Sequence, residues 1–307
     1  MLTPGQRGKV LAVLSNSAYL VNEQGEILWL GSERIPMHRR CLRISGSLPT
    51  LLADSIFSVE DGCLYVRPSV QLDLSQALIW QTPQYDDNNL LEVTEIPTRV
   101  KAIFSVILDF PVLKGFGQFL PDIVALSENQ PFSSLPGNNS PLASLARPTI
   151  DKIARACLSG DISCLLQTAE ALAGLGEGLT PSGDDFLGGL AFCIKQLHSI
   201  YPFFSDIPDL SKYVEGFVQK TNPISLTILR DLADGHGVDP LHQFFACILT
   251  NQPLENAHQH ISQLIQIGHS TGWDLLTGVL TGLLLTFRNH KDSTSPTSLS
   301  IEYRVPV

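Results

Sequence analysis

Basic residues are scarce in this chain. Lys and Arg together number 20, against 30 Asp and Glu, which gives a formal net charge of -10 at pH 7. Proteins that bind nucleic acid need a basic face to neutralise phosphates. The charge balance therefore argues against nucleic acid as a partner.

Long apolar runs and paired cysteines are lacking as well. The longest apolar candidate, residues 275–287, is shorter than the ~20 residues of a membrane span and contains threonines. Residues 1–10 have no apolar core typical of a signal peptide. The 6 cysteines form no CxxC pair and no Cys/His spacing typical of a metal site, so they are interpreted as free thiols. These absences predict a cytoplasmic protein without a membrane span, a metal or a cofactor.

The composition of the first part of the chain favours strands. Residues 1–110 contain short runs of aliphatic and aromatic residues separated by turn signals such as Glu60-Asp61-Gly62. Closely spaced short strands of this kind predict a β-rich small barrel or sandwich. Strands are expected at residues 9–14, 18–21, 27–30, 41–44, 55–59, 63–66, 77–80 and 100–106. Residues 111–147 are rich in Pro, Gly, Ser and Asn and are interpreted as a connector with one short helix near residues 119–127.

The second half of the chain has helical periodicity. Between residues 148 and 290, apolar residues recur at a spacing that predicts an all-α domain of about eight helices. These helices are expected at residues 150–158, 162–172, 183–199, 210–218, 224–232, 240–249, 254–267 and 275–287. Residues 291–307 form a polar tail, and its last segment, residues 301–307, alternates in a way that predicts either an added strand or disorder. The predicted fold class is therefore α+β, with the β-rich domain followed by the all-α helical domain.

One loop in the helical half is unusually dense in glycine, hydroxyl and carboxylate groups. Gly174, Gly176 and Gly178 permit positive φ and let another group approach the backbone closely. The helix that follows would point its free N–H groups and positive dipole end at this loop, an arrangement that attracts anions. Asp184 and Asp185, in the first turn, would repel an anion, so a purely structural capping role for them stays open.

The same pattern occurs a second time. Residues 182–189 align without gaps on residues 271–278 as hydroxyl, Gly, any residue, Asp, bulky apolar, Leu, any residue, Gly. If the similarity is more than chance, two loop–helix units converge on one small site. Asp185 and Asp274 are then equivalent, and each can complete a capping box with the hydroxyl three residues before it. Trp273 replaces Asp184 in the second copy, so Asp184 is the better candidate for ligand or proton chemistry.

The candidate site combines these two loops with a third segment. Thr221 and Ser225 are four residues apart and share a helix face, although capping and packing explain them equally well. Asp184 and His269 are the predicted catalytic residues. The predicted binding residues are the glycines, hydroxyls and carboxylates of the three segments: Gly176, Gly178, Thr180, Ser182, Gly183, Asp185, Thr221, Ser225, Ser270, Thr271, Gly272 and Asp274. The basic residues from Arg34 to Arg43 are interpreted as a solvated loop, with an acidic ligand or subunit as the alternative.

Residues 178–185 and 264–278 closely resemble a family long described only as a domain of unknown function. That family includes a subunit of the oxamate carbamoyltransferase of anaerobic allantoin degradation. The β-rich opening and the all-α half occur in the same order, so the resemblance covers most of the chain. It implies a reaction of oxalurate with phosphate that gives oxamate and carbamoyl phosphate, carried out with two other subunits. It does not imply which subunit holds the chemistry.

Two functions therefore remain open. In the first, the chain is an enzyme subunit in which Thr180 and Ser182 bind a small carboxylate or phosphate and Asp184 accepts or orients a proton. In the second, it is a non-catalytic scaffold or regulatory subunit that binds a small carboxylate and holds its partner subunits through the N-terminal domain. Metal-dependent hydrolysis through Asp184 and Asp185 is disfavoured, because adjacent helix residues point about 100° apart.

Overall fold

The computed structural model describes residues 2–85, 87–132 and 140–288. Within these ranges, a β-rich half precedes a helical half, which confirms the predicted α+β class. The strands are β1 (Arg7–Val13), β2 (Ser17–Asn22), β3 (Ile27–Gly31), β4 (Cys41–Arg43), β5 (Ile56–Glu60), β6 (Cys63–Val66) and β7 (Val70–Asp73). The α-helices are α1 (Ile96–Leu108), α2 (Leu120–Ser127), α3 (Pro141–Ser159), α4 (Ile162–Ala169), α5 (Ser182–Ile200), α6 (Ser211–Val214), α7 (Pro223–Ala233), α8 (Asp239–Leu249), α9 (Leu254–Leu264) and α10 (Thr271–Leu283).

The strands form one curled sheet, a half-barrel, in the order β4-β3-β2-β1-β5-β6-β7. All neighbours are antiparallel except β3 and β4, which run parallel. The β2–β3 hairpin turns at Asn22, whose side-chain oxygen accepts hydrogen bonds from the backbone N–H groups of Gln24 and Glu26, and at Gly25, whose φ is 79°. This local chemistry is typical of an Asx-type turn between two strands.

Two of the expected strands are wrong. Residues 100–106 lie in α1, where Pro97 in the first turn fixes a helical φ and Val100, Ile103 and Ile107 are fully buried. The β-branched composition indicated a strand, but the buried positions follow the helical spacing of three to four. Residues 77–80 form no strand, and β7 was not predicted.

The helical half follows the predicted periodicity closely. Ser140 caps α3 by accepting a hydrogen bond from the N–H of Ala143, so this helix begins inside the stretch expected to be connector. The short helix expected near residues 119–127 is α2. Asp161 and Asn222 cap α4 and α7 through their side-chain oxygens. The tail 291–307 and the connector residues 133–139 lie outside the described residues. None of the described helices is both long and apolar enough to cross a membrane.

α5 and α10 lie at the centre of the helical half and pack together through reciprocal glycine contacts. A Cβ added to Gly189 of α5 would lie 2.0 Å from the Leu275 carbonyl oxygen of α10. A Cβ added to Gly278 of α10 would lie 1.9 Å from the Phe186 carbonyl oxygen of α5. Gly189 corresponds to Gly278 in the sequence repeat, and Phe186 corresponds to Leu275. The two copies are therefore related by an approximate two-fold axis at their closest approach.

The sheet and the helices are joined by a charged contact that is largely buried. Arg40 donates from Nε and Nη2 to the two carboxylate oxygens of Asp231, which is 1 % exposed. Beside this ion pair, His38 Nε2 lies 3.3 Å from the carbonyl oxygen of His236, and the Asp239 N–H donates to the Met37 carbonyl oxygen. A bidentate Arg–carboxylate pair fixes orientation as well as distance. This contact holds the loop between β3 and β4 against the helical half.

Candidate functional site

The N-termini of α5 and α10 meet at the floor of a cavity between the two halves of the chain. Thr180 Oγ1 and Thr271 Oγ1, one from each glycine loop, lie 3.1 Å apart in a hydrogen bond. The cavity has a volume of about 890 Å³ and is lined by both loops, by the sheet and by α7. Because both loops contribute a hydroxyl group to the same floor, the sequence repeat corresponds to one site rather than two.

Half of the predicted site residues line this cavity. They are the hydroxyl residues and the exposed ends of the two loops, namely Gly178, Thr180, Ser182, Asp185, His269, Ser270 and Thr271. The others lie behind the cavity wall and support it: Gly176, Gly183, Asp184, Thr221, Ser225, Gly272 and Asp274. Gly183 and Gly272 illustrate the supporting role, because a Cβ at either position would lie about 2 Å from a backbone carbonyl oxygen, of Leu172 and Leu264 respectively.

Asp184 is fully engaged in a structural network. Its Oδ1 accepts a hydrogen bond of 2.7 Å from the Gly174 N–H. Its Oδ2 accepts from the hydroxyls of Thr221 and Ser225, the latter at 2.6 Å. Charge-assisted hydrogen bonds to a buried carboxylate are among the strongest in proteins. Asp184 thus links the glycine loop to the start of α7. The hydroxyls of Thr221 and Ser225 bind the Asp184 carboxylate and do not line the cavity.

Asp185 has a different environment. It is 5 % exposed, it lines the cavity, and its Oδ2 forms no hydrogen bond to any described residue. Burial, and then the negative charge of Asp274, raise its pKa well above the ordinary value, although the Thr271 and Thr180 hydroxyls act in the opposite direction. This setting favours the protonated form of the Asp185 carboxyl group more than the setting of an exposed aspartate does.

Asp274 is the counterpart of Asp185 in the second copy, but it is sealed from the cavity. Its Oδ1 accepts a 2.6 Å hydrogen bond from the Phe116 N–H, and a Cβ added to Gly115 would lie 2.3 Å from the same oxygen. Burial raises the pKa of Asp274 to about 6, against the lowering effect of the Phe116 N–H and the hydroxyls of Ser182 and Ser270. Neither aspartate completes the capping box expected from the sequence. The described hydrogen bonds also give α5 and α10 no side-chain N-cap, and Pro181 rather than Ser182 holds the cap position of α5.

The free backbone donors at the two helix starts are fewer than expected. The N–H groups of Asp184 and Asp185 both donate to the Pro181 carbonyl oxygen, and that of Gly183 donates to Leu175. In α10, the N–H groups of Gly272 and Asp274 are likewise bonded within the protein. An anion at this floor would therefore depend on hydroxyl groups and on the dipoles more than on backbone donors.

The β-rich half contributes positive charge to the cavity lining. Arg34 and Arg43 line the cavity, and neither forms an ion pair with any residue that the structure describes. Tyr19 and Trp29 form an apolar part of the same wall as a parallel ring pair with centroids 6.1 Å apart. Burial raises the pKa of the Tyr19 phenol, so Tyr19 remains a hydrogen-bond donor. The sequence indicated the arginine cluster only as basic residues on a loop, and it gave no signal for Tyr19 or Trp29.

The residues of the cavity suit a small polar ligand more than a metal ion. In the described ranges, no group of three or more His, Cys, Asp or Glu side chains is placed to hold a metal. His38, which lines the cavity, and His242 of α8 are also uncharged at neutral pH, because burial lowers the pKa of each to about 4. The positive charge available to a ligand therefore comes mainly from arginine.

Together, the fold and the site define an α+β protein with a hydroxyl-lined and arginine-lined cavity between its halves. Comparison with known families gives a more specific result. Residues 172–283 match the family model described as oxamate carbamoyltransferase subunit AllH. The matched segment contains both glycine loops together with α5 and α10. No solved structure matches the chain.

Proposed function

We propose that the chain is a subunit of an oxamate carbamoyltransferase-like complex and that its cavity binds a small carboxylate or phosphate. In that reaction, oxalurate and phosphate give oxamate and carbamoyl phosphate. The bound group lies between the paired starts of α5 and α10 and the arginines of the sheet. The observation that carries the proposal is that the two loops within the family match line one cavity together with Arg34 and Arg43.

The charges of the cavity support an anionic ligand. The floor is lined by the hydroxyl groups of Thr180, Ser182 and Thr271, and a carboxylate or phosphate oxygen can accept from such a hydroxyl in place of its partner in the protein, as in the Thr180–Thr271 pair. The wall provides two guanidinium groups, whose planar donors match both of these anions. Oxalurate and phosphate are small relative to a cavity of about 890 Å³, so both fit within it together with water.

The family description supports partner subunits. The matched family is named as a subunit, and we therefore expect the chain to act with other proteins. Leu78 and Ile79 are 95 % and 90 % exposed, close to the cavity-lining Trp80, so apolar surface is available near the cavity entrance. A non-catalytic subunit that only binds the ligand and holds its partners is the alternative function.

The two functions are separated by an activity measurement with the partner proteins. We expect the complete mixture to form carbamoyl phosphate from oxalurate and phosphate, and formation to stop when this chain is left out. If the partners alone form carbamoyl phosphate at the same rate, the catalytic role is wrong and the scaffold function remains. No product in the complete mixture would remove the proposed reaction.

The ligand site is tested by binding to the isolated chain. We expect Arg34→Ala and Arg43→Ala each to weaken binding of oxalurate or phosphate by roughly tenfold or more, because a hydrogen bond to a charged group contributes about 1.5–3 kcal/mol. Isothermal titration calorimetry measures this change. Arg7→Ala is the matched control, since Arg7 is an exposed arginine of the same sheet outside the cavity lining. If Arg34→Ala and Arg43→Ala bind the ligand as tightly as Arg7→Ala does, the proposed role of Arg34 and Arg43 in binding is wrong.

A further inference from the structure

The unpartnered carboxyl oxygen of Asp185 is the least explained polar atom of the cavity. A buried polar atom normally has a hydrogen-bond partner, and one without a partner at a cavity wall indicates a place for a ligand. Asp184, the neighbouring residue, shows the contrast, because both of its oxygens are engaged within the protein. The Oδ2 atom of Asp185 is therefore available for an external group in a way that Asp184 is not.

Acidic and basic groups surround Asp185 on every side. Asp184 is next to it on α5, and Asp274 faces it from α10. Tyr19 faces it from β2, and His269 lies in the loop before α10 beside Asp274. The other charged or titratable residues that line the same cavity are Arg34, His38 and Arg40 in the loop after β3, Arg43 on β4, Glu177 in the glycine loop and Asp239 at the start of α8. The nearest charged groups are thus carboxylates, and they favour retention of a proton on Asp185.

We propose that Asp185 is the general acid of the reaction and that it donates its proton to the nitrogen at which the carbamoyl group is released. This inference rests on the proposed function. Asp274 acts through Asp185 as a positioning residue: its negative charge, held in place by the Phe116 N–H, keeps Asp185 protonated. The Thr180 and Thr271 hydroxyls lie beside Asp185 and orient the carboxyl group.

The proton balance of the transfer requires such a group. An oxygen of hydrogen phosphate attacks the carbamoyl carbon of oxalurate and forms a new C–O bond. The bond between that carbon and the adjoining nitrogen then breaks, and the electron pair remains on the nitrogen of the departing oxamate. Oxamate leaves as a neutral amide only if this nitrogen gains a proton, which Asp185 supplies. The Asp185 carboxylate then regains a proton from the phosphate hydroxyl of the product, so no proton is gained or lost overall.

The arrangement also predicts how the substrate lies in the cavity. Arg34 and Arg43 attract the carboxylate end of oxalurate and the phosphate, whereas the two glycine loops contribute no lysine or arginine to the cavity lining. The nitrogen-containing part of the substrate therefore faces the floor. That placement brings the nitrogen to Asp185 while the charged end remains at Arg34 and Arg43.

The test compares two carboxylate-to-amide substitutions in the active complex. Asp185→Asn keeps the shape of the side chain but cannot donate an acidic proton, and general acid catalysis contributes about 10²–10⁴-fold to a rate. We therefore expect carbamoyl phosphate formation to fall at least about 100-fold, while oxalurate binding to the isolated chain persists. Asp151→Asn, on the exposed face of α3, is the control and is expected to keep full activity. Unchanged activity in Asp185→Asn, when the wild-type complex is active, overturns this inference alone.

A pH profile distinguishes proton donation from a structural role. We expect the rate of the wild-type complex to fall as pH rises and Asp185 loses its proton. In Asp274→Asn this fall shifts to lower pH, because the neighbouring negative charge is removed. Identical profiles for the wild type and Asp274→Asn would contradict the proposal.

The isolated chain allows a measurement that does not depend on activity or on partners. We expect infrared spectroscopy to show the carbonyl band of a protonated carboxyl group at neutral pH that is absent in Asp185→Asn. A spectrum without such a band would overturn the assignment even if Asp185→Asn were inactive through misfolding. If the wild-type complex forms no product while the band is present, the proposed function fails and the protonation of Asp185 stands.

Discussion

The reciprocal contact of α5 and α10 makes a quantitative prediction about two glycines. A Cβ at Gly189 would lie 2.0 Å from the Leu275 carbonyl oxygen, which is 1.4 Å closer than the 3.4 Å at which ordinary contact begins. The obstructing atom belongs to the backbone and cannot rotate away, so the two helices must separate. Overpacking of this kind costs about 1–3 kcal/mol, and here we expect the upper end of the range. Replacing glycine by alanine inside a helix also stabilises the protein by about 1 kcal/mol, because alanine has the higher helix propensity.

We therefore expect Gly189→Ala and Gly278→Ala each to lower the free energy of unfolding by about 2 kcal/mol. Urea denaturation followed by far-UV circular dichroism measures the change. Gly216→Ala is the matched control, because nothing lies within 4 Å of its added Cβ, and it is expected to be neutral or slightly stabilising. The approximate two-fold relation requires the two variants to behave alike. If either helix variant is as stable as the wild type, the close packing of the two helices is refuted.

Three further predictions concern buried charges and are tested by the same unfolding measurement. Arg40→Ala should destabilise the protein by about 3 kcal/mol, since it leaves the Asp231 carboxylate buried without its bidentate partner, and a change under 1 kcal/mol would contradict this role. Asp184→Ala should cost about 1–3 kcal/mol by leaving the Gly174 N–H and two hydroxyls unpaired; a neutral effect would remove its structural assignment. The third prediction concerns Asp274, whose pKa rises from 3.8 to about 6 on folding. Its contribution to the free energy of unfolding is therefore fully present below pH 4 and is lost as pH rises through 6. This loss amounts to roughly 3 kcal/mol and should shrink in Asp274→Asn, whereas an unchanged dependence on pH would show that Asp274 is not the titrating group.

Much of the architecture could be predicted because it follows from local patterns. The order of the β-rich and helical halves is visible in the change of hydrophobic period, and caps such as Asp161 and Asn222 depend only on neighbouring residues. The expected strand at residues 100–106 failed because β-branched residues suit both strands and buried helices. Packing against the other helices decides between a strand and a buried helix, and the local sequence does not determine that packing.

The site could be located from the sequence but its roles could not be assigned. The repeat indicated two equivalent aspartates, and the lack of an acidic counterpart favoured Asp184 as the reactive one. In the structure, Asp184 meets the Gly174 N–H and two hydroxyls, whereas Asp185 faces the cavity. Two adjacent carboxylates are alike in the sequence, and their environments differ only because α7 lies on one side and the cavity on the other. Likewise, Arg34 and Arg43 reach the site through the packing of the sheet on the helices.

The short segment that covers Asp274 leaves only one of the two equivalent aspartates open to the cavity. Gly115 and Phe116 close over Asp274, and Gly117 packs against Trp273, the residue that stands where the first copy has Asp184. Without this segment, an unsymmetrical ligand would find two equivalent acids and could bind in two opposite orientations. With it, one acid is open to the cavity and the other serves as a fixed charge behind it. The two related motifs therefore form a floor that distinguishes the two ends of an unsymmetrical ligand.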